Sequence, residues 1–123
     1  MKKLLVLMMT IIAAVAMLAA GCGGGEKKAA EKVLRVGTEP TFAPFEFQKE
    51  GSSEFTGFDM DLIRAIGKQA GYKVEIQNMG FDALIPALNA GNIDATIAGM
   101  TITEERKGAV SFSEPYYTSG LVV

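Results

Sequence analysis

The sequence predicts an α/β fold in which a mostly parallel sheet is flanked by helices. From Val33 onward, apolar periodicity alternates between strand-like and helix-like segments. Glycine, proline, asparagine and aspartate punctuate these segments at short intervals. A strand, a helix and a second strand in succession imply right-handed crossovers, and therefore parallel pairing. The chain has 123 residues and a net charge of -2, which suits one modest domain.

Residues 1–21 stand apart from that fold. Lys2 and Lys3 precede an almost unbroken apolar run from Leu4 to Ala20, and small residues close it before Cys22. A charged start, an apolar middle and a small-residue end make a secretory signal. A membrane-spanning helix is the competing reading, but the run is about 17 residues, at the short limit for spanning. The stretch Leu18-Ala19-Ala20-Gly21-Cys22 resembles the bacterial lipoprotein processing box, with Ala19 where leucine is commonest. That resemblance implies cleavage before Cys22 and lipidation of its sulfur. Acyl chains bury methylenes at about 0.8 kcal/mol each, enough for two or three chains to hold a domain at a membrane. Residues 22–32 then form a flexible tether of Gly, Glu, Lys and Ala with too little apolar content to pack.

The folded part is read over residues 33–123. Val33 to Gly37 is a buried strand. Phe45 to Lys49 and Glu54 to Thr56 flank a polar turn and read as a hairpin. A helix follows from about Asp59, with an inward stripe of Leu62, Ile63, Ile66 and Ala70. Asp59 is placed to cap it, Phe58 to staple onto Ile63, and Gly71 to close it. Lys73 to Gln77 is a strand with Val74 and Ile76 on one face. A second helix starts at Asp82, with Leu84, Ile85 and Leu88 inward and Pro86 early, where a missing amide costs little. Asp82 reads as its cap. Ile93 to Ala98 is an apolar strand, and Thr103 caps a short helix through Arg106. Val110 to Phe112 and Thr118 to Val123 read as further strands. An apolar strand at Gly120 to Val123 without a finished end reads as the mark of a truncated domain.

Composition excludes several chemistries. There is no histidine and no tryptophan, and there is one cysteine. A histidine base, a histidine metal ligand, a zinc site and an internal disulfide are therefore not expected, nor is a cofactor. The charge balance gives no footprint for nucleic acid. Ligands of parallel sheets bind beyond the carboxyl ends of the strands. Three stretches fall there: Gly37 to Phe45, Met79 to Asp82, and Ala98 to Arg106. Together they offer a carboxylate, two aromatic faces, backbone groups beside a glycine, a hydroxyl and a guanidinium, a set that suits a small zwitterion.

Five motifs then occur in order: Gly37-Thr38-Glu39 with Phe42-Ala43-Pro44-Phe45-Glu46-Phe47, Gly57-Phe58-Asp59-Met60-Asp61-Leu62, Phe81 to Leu88, Ala98 to Lys107, and Phe112-Ser113-Glu114-Pro115-Tyr116-Tyr117. Each is weak alone, but the ordered set closely resembles the extracellular solute-binding proteins of family 3, the polar amino-acid receptors of ABC importers. The resemblance covers nearly all of residues 33–123. It implies a periplasmic-binding-protein-like type II architecture, two lobes closing on a ligand, with most of the first lobe present here. One lobe alone would then bind weakly or not at all.

The resemblance also implies residue roles. Arg106 would take the ligand's α-carboxylate, as a planar fork suits two parallel bonds; without the family it reads as an exposed arginine in a charged run. Thr101 would add a hydroxyl and an amide, and the carbonyl of Gly99 would accept from the α-ammonium. Phe42 and Phe81 would sandwich the ligand side chain, a role ring faces can fill for a stem or a delocalised cation. Glu39 would reach a distal donor, favouring glutamine, arginine, lysine or histidine. Asp59 and Asp61 read as helix-dipole acids rather than a catalytic pair. The expected protein is thus a monomeric, membrane-anchored receptor that serves an ABC permease. Enzymes on this fold, of the cyclohexadienyl dehydratase or lytic transglycosylase kind, need a catalytic acid, and no acid in the sequence gives a reason for a raised pKa. A receptor-kinase sensor lobe is the third alternative.

Overall fold

The computed structural model describes residues 31–120. The predicted leader, Cys22 and most of the tether lie outside the described residues, as does the end of the last predicted strand.

β1 (Val33–Thr38) is the centre of a three-stranded parallel sheet in the order β5-β1-β6. β5 (Lys73–Asn78) pairs with it along its whole length, from Val33 opposite Lys73 to Thr38 opposite Asn78. β6 (Ala95–Thr96) pairs on the other side through Val36 and Gly37. A separate antiparallel sheet joins β2 (Thr41–Phe42), β3 (Glu46–Gln48) and β4 (Phe55–Thr56), with β3 in the middle. The hairpin is therefore as expected, while β2 is an added strand. Ile93 to Ala98 is shorter as a ladder than its apolar run: two residues pair, and Ile93, Ile97 and Ala98 are buried as core instead.

α1 (Phe58–Ala70) covers one face of the parallel sheet. Its buried residues are Asp59, Met60, Ile63 and Gly67. Val36, Met60, Ile63 and Ile97 form a core cluster joined by Leu34, Leu62, Val74 and Ile76. The predicted stripe was thus rotated: Ile66 is 48% exposed and Ala70 is exposed. The cause is Gly67, where a Cβ would strike the Val74 side chain, so the helix approaches the sheet closely along the line of that glycine. Asp59 does not cap α1. The cap position is Gly57, with φ 121, where a Cβ would collide with the backbone of Phe45. Gly71 closes the helix in the left-handed conformation, as expected, with Tyr72 N–H donating to the Gly67 carbonyl at 2.8 Å.

α2 (Phe81–Asn89) covers the opposite face. Leu84 is fully buried, and a Cβ on Gly37 would lie 2.6 Å from Ile93 Cδ1 and 3.0 Å from Leu84 Cδ2. β1 therefore turns Val36 to the α1 side and Gly37 to the α2 side, the alternation a doubly covered strand requires. Asp82 is exposed in the first turn of α2, and the cap position is Gly80 with no side-chain bond. α3 (Glu104–Lys107) is capped by Thr103, whose hydroxyl accepts from the Arg106 N–H at 3.2 Å. Residues 110–120 form no strand. Among the described residues no helix is long and apolar enough to cross a membrane.

Candidate functional site

Every parallel strand runs out toward the same edge. β1 leads into Glu39 and Phe42, β5 into Phe81, and β6 into Gly99, Thr101 and, through α3, Arg106. The sheet order therefore brings all three predicted stretches to one rim, as parallel pairing demands.

Two clefts open there. The first, about 290 Å³, is lined by Phe42, Gly99 and Thr101 together with Phe112, Glu114, Tyr116 and their neighbours. The second, about 310 Å³, is lined by Phe81, Arg106, Asp82, Glu105 and Thr103. Met100 lines both. Phe42 and Phe81 thus stand in neighbouring clefts, not on the two sides of one. Phe42 is 53% exposed and stacks on Phe45 with centroids 5.4 Å apart. Glu39, partly buried, lines neither cleft.

Arg106 links the two clefts. Its Nη1 donates to the Thr101 carbonyl at 2.9 Å, and its guanidinium carbon lies 5.2 Å from the Phe81 ring centroid. Among the described residues this is the guanidinium's one hydrogen bond, and it forms no salt bridge. A guanidinium carries five N–H donors, so most of this fork is open while its position is fixed by a carbonyl below and a ring beneath.

Gly99 has φ 54, a left-handed value that favours glycine. A Cβ there would lie 3.2 Å from Phe42 Cε1, so the missing side chain also makes room for the ring. The Gly99 N–H donates to Asp59 Oδ2 at 2.8 Å, and the Tyr116 hydroxyl donates to the same oxygen at 2.9 Å. Asp59 is 0% exposed and Glu46 is 1% exposed. Burial, then the nearby Asp59 charge, pushes the Glu46 carboxyl up to about 8. Burial and Asp59 also push the Tyr116 hydroxyl up. These findings correct two expectations. Asp59 is a buried support of the Gly99 loop, and one acid in this sequence does have a raised pKa.

The sequence reading missed Asp59, Glu46 and the wall formed by Phe112 to Ser119. An acid between two phenylalanines on a half-buried strand, as in Phe45-Glu46-Phe47, was the available signal. Among the described residues no group of three or more His, Cys, Asp or Glu could hold a metal ion.

The model of the bacterial extracellular solute-binding proteins, family 3, matches residues 34–123. Among curated proteins, the arginine-binding extracellular protein ArtP of Bacillus subtilis (strain 168) is 40% identical over 123 residues, covering 100% of this chain and 48% of that protein. A probable histidine-binding protein of Campylobacter jejuni is 45% identical over 86 residues, covering 70% of this chain and 33% of that protein. The chain thus spans half or less of the length of these relatives. Among solved structures, an ancestral arginine-binding protein bound to arginine is 57% identical with a TM-score of 0.68, covering 71% of this chain and 38% of that one. The arginine-bound form of domain 1 from TmArgBP is 48% identical with a TM-score of 0.67, covering 69% of this chain and 67% of that domain.

Proposed function

The chain belongs to the bacterial extracellular solute-binding proteins, family 3, and on that premise we propose that the whole protein captures a cationic amino acid, arginine foremost, for an ABC permease. One observation carries the reading: a guanidinium held by the Thr101 carbonyl and the Phe81 ring, with most of its donors open, at the rim where Gly99 and Thr101 also lie. That fork suits the ligand's α-carboxylate through two parallel bonds. The Thr101 hydroxyl adds to the same carboxylate and the Gly99 carbonyl takes the α-ammonium. Phe42 supplies a ring face for a guanidinium side chain, Phe81 backs the Arg106 fork, and Glu39, with Glu114 of the first cleft, supplies negative charge. The names of the relatives support arginine or histidine over uncharged ligands.

In this reading the protein works outside the cytoplasm as a monomer, tethered by a lipid on Cys22. It acts as a receptor and not a catalyst, because the acid with a raised pKa, Glu46, is buried and lines neither cleft. Isothermal calorimetry of the full-length gene product against L-arginine, L-lysine, L-histidine and L-glutamine tests it. Tightest binding is expected for L-arginine, and no heat with any of the four would overturn the reading.

A further inference from the structure

Asp59, from the first turn of α1, and Glu46, from the middle strand of the antiparallel sheet, meet beneath the Gly99 loop. Asp59 Oδ2 receives both the Gly99 amide and the Tyr116 hydroxyl. A Cβ on Gly99 would lie 4.0 Å from Glu46 Oε1, so the second acid rests against the same glycine. Asp59 Oδ1 and Glu46 Oε2 are buried and, among the described residues, have no hydrogen-bond partner. Two ionised carboxyl groups in so dry a space repel strongly, and one proton between them removes the repulsion and supplies a donor.

We propose that Asp59 and Glu46 share one proton and that this singly protonated pair is the positioning element of the site, fixing the Gly99 amide so that the Gly99 carbonyl and Thr101 face the bound amino acid. The proposal rests on the ligand roles given above to Gly99 and Thr101. The surrounding charges favour retention of the proton. Glu39, after β1, adds negative charge toward Glu46, and Tyr116 stays neutral and donates. Among the described residues no lysine or arginine bonds to either acid. The Glu46 carboxyl, pushed up to about 8, is the one that keeps the proton near neutrality. Its loss on raising the pH leaves two facing charges, and Asp59 is then drawn from the Gly99 N–H.

The test uses the full-length protein. A carboxyl ¹³C titration by NMR should show a Glu46 step near 8, with the Gly99 amide resonance moving at the same midpoint. L-Arginine affinity should fall about fourfold from roughly pH 6.5 to 8.5, following the protonated fraction. Glu46→Gln, which mimics the protonated acid, should keep the neutral-pH affinity within about threefold and lose this pH dependence. A Glu46 step in the ordinary carboxylate range, or a Gly99 amide indifferent to it, would overturn the proposal without any ligand or variant. An unchanged pH profile in Glu46→Gln would do the same. Absence of arginine binding at every pH would instead remove the functional reading, while the titration still decides whether the proton is shared.

Discussion

Arg106 spends one N–H on the Thr101 carbonyl and rests on Phe81. That small investment holds a flexible side chain in one direction, so less rotamer freedom remains to be lost on binding. In the full-length protein Arg106→Ala should weaken L-arginine binding by more than about tenfold, since a charge-assisted bond contributes about 1.5–3 kcal/mol. Arg106→Lys should recover only part of this, because an ammonium cannot form the two-pronged contact. Calorimetry on the three proteins checks both, and an unchanged dissociation constant would remove the carboxylate assignment. The rim placement of Arg106, Thr101 and Gly99 was legible in the sequence because their run follows a strand, whereas their ligand roles come from the family resemblance, without which Arg106 reads as an exposed arginine. The role of Asp59 was not legible. An acid in a helix's first turn already has an explanation in the helix dipole, and nothing local reveals that its oxygen is spent on a glycine 40 residues away.

Elements followed the pattern of apolar residues where one face was buried and departed from it where backbone contacts decided. α2 fits the former case. Leu84 lies in the seam against Gly37 and Ile93, and Leu84→Ala should cost about 2–5 kcal/mol, read from urea denaturation. A cost under about 1 kcal/mol would mean that the seam refills. α1 is the latter case: the phase of its stripe was set by close approach at Gly67, which hydrophobicity does not report. Val110 to Phe112 and Thr118 to Gly120 have strand-like residues but no ladder partner among the described residues, and β-propensity without a neighbour does not make a strand. Where β1 nears β6, Arg35 donates Nε and Nη2 to Asp94 at 3.0 and 2.7 Å, and its backbone N–H adds a third bond at 2.9 Å. The side-chain bonds, then the backbone bond, hold the Asp94 carboxyl down to about 2. A depressed acid stabilises above its unfolded pKa, and that contribution fades as pH falls toward about 2. Asp94→Asn should therefore lower the thermal midpoint at neutral pH and flatten the acid limb of its pH dependence. An acid limb as steep as the parent's would show that the clamp contributes nothing.

At the scale of the molecule, the described residues form a doubly covered sheet whose candidate site loops all leave one edge. The expectation that one lobe would bind weakly or not at all stands beside a relative whose domain 1 has an arginine-bound form. Under the proposed function, residues 31–123 should bind L-arginine at least about tenfold more weakly than the full-length protein, in which a second lobe would add contacts and closure. Microcalorimetry of both settles it, and equal affinities would assign the whole site to this portion. The order β5-β1-β6 has one more consequence. Among the described strands the one synthesised first ends up in the middle, and Arg35 waits for Asp94, 59 residues later, before its clamp can close. Loop closure over those residues must precede the pairing of β1 with β6, so the clamp belongs to the later contacts of the sheet.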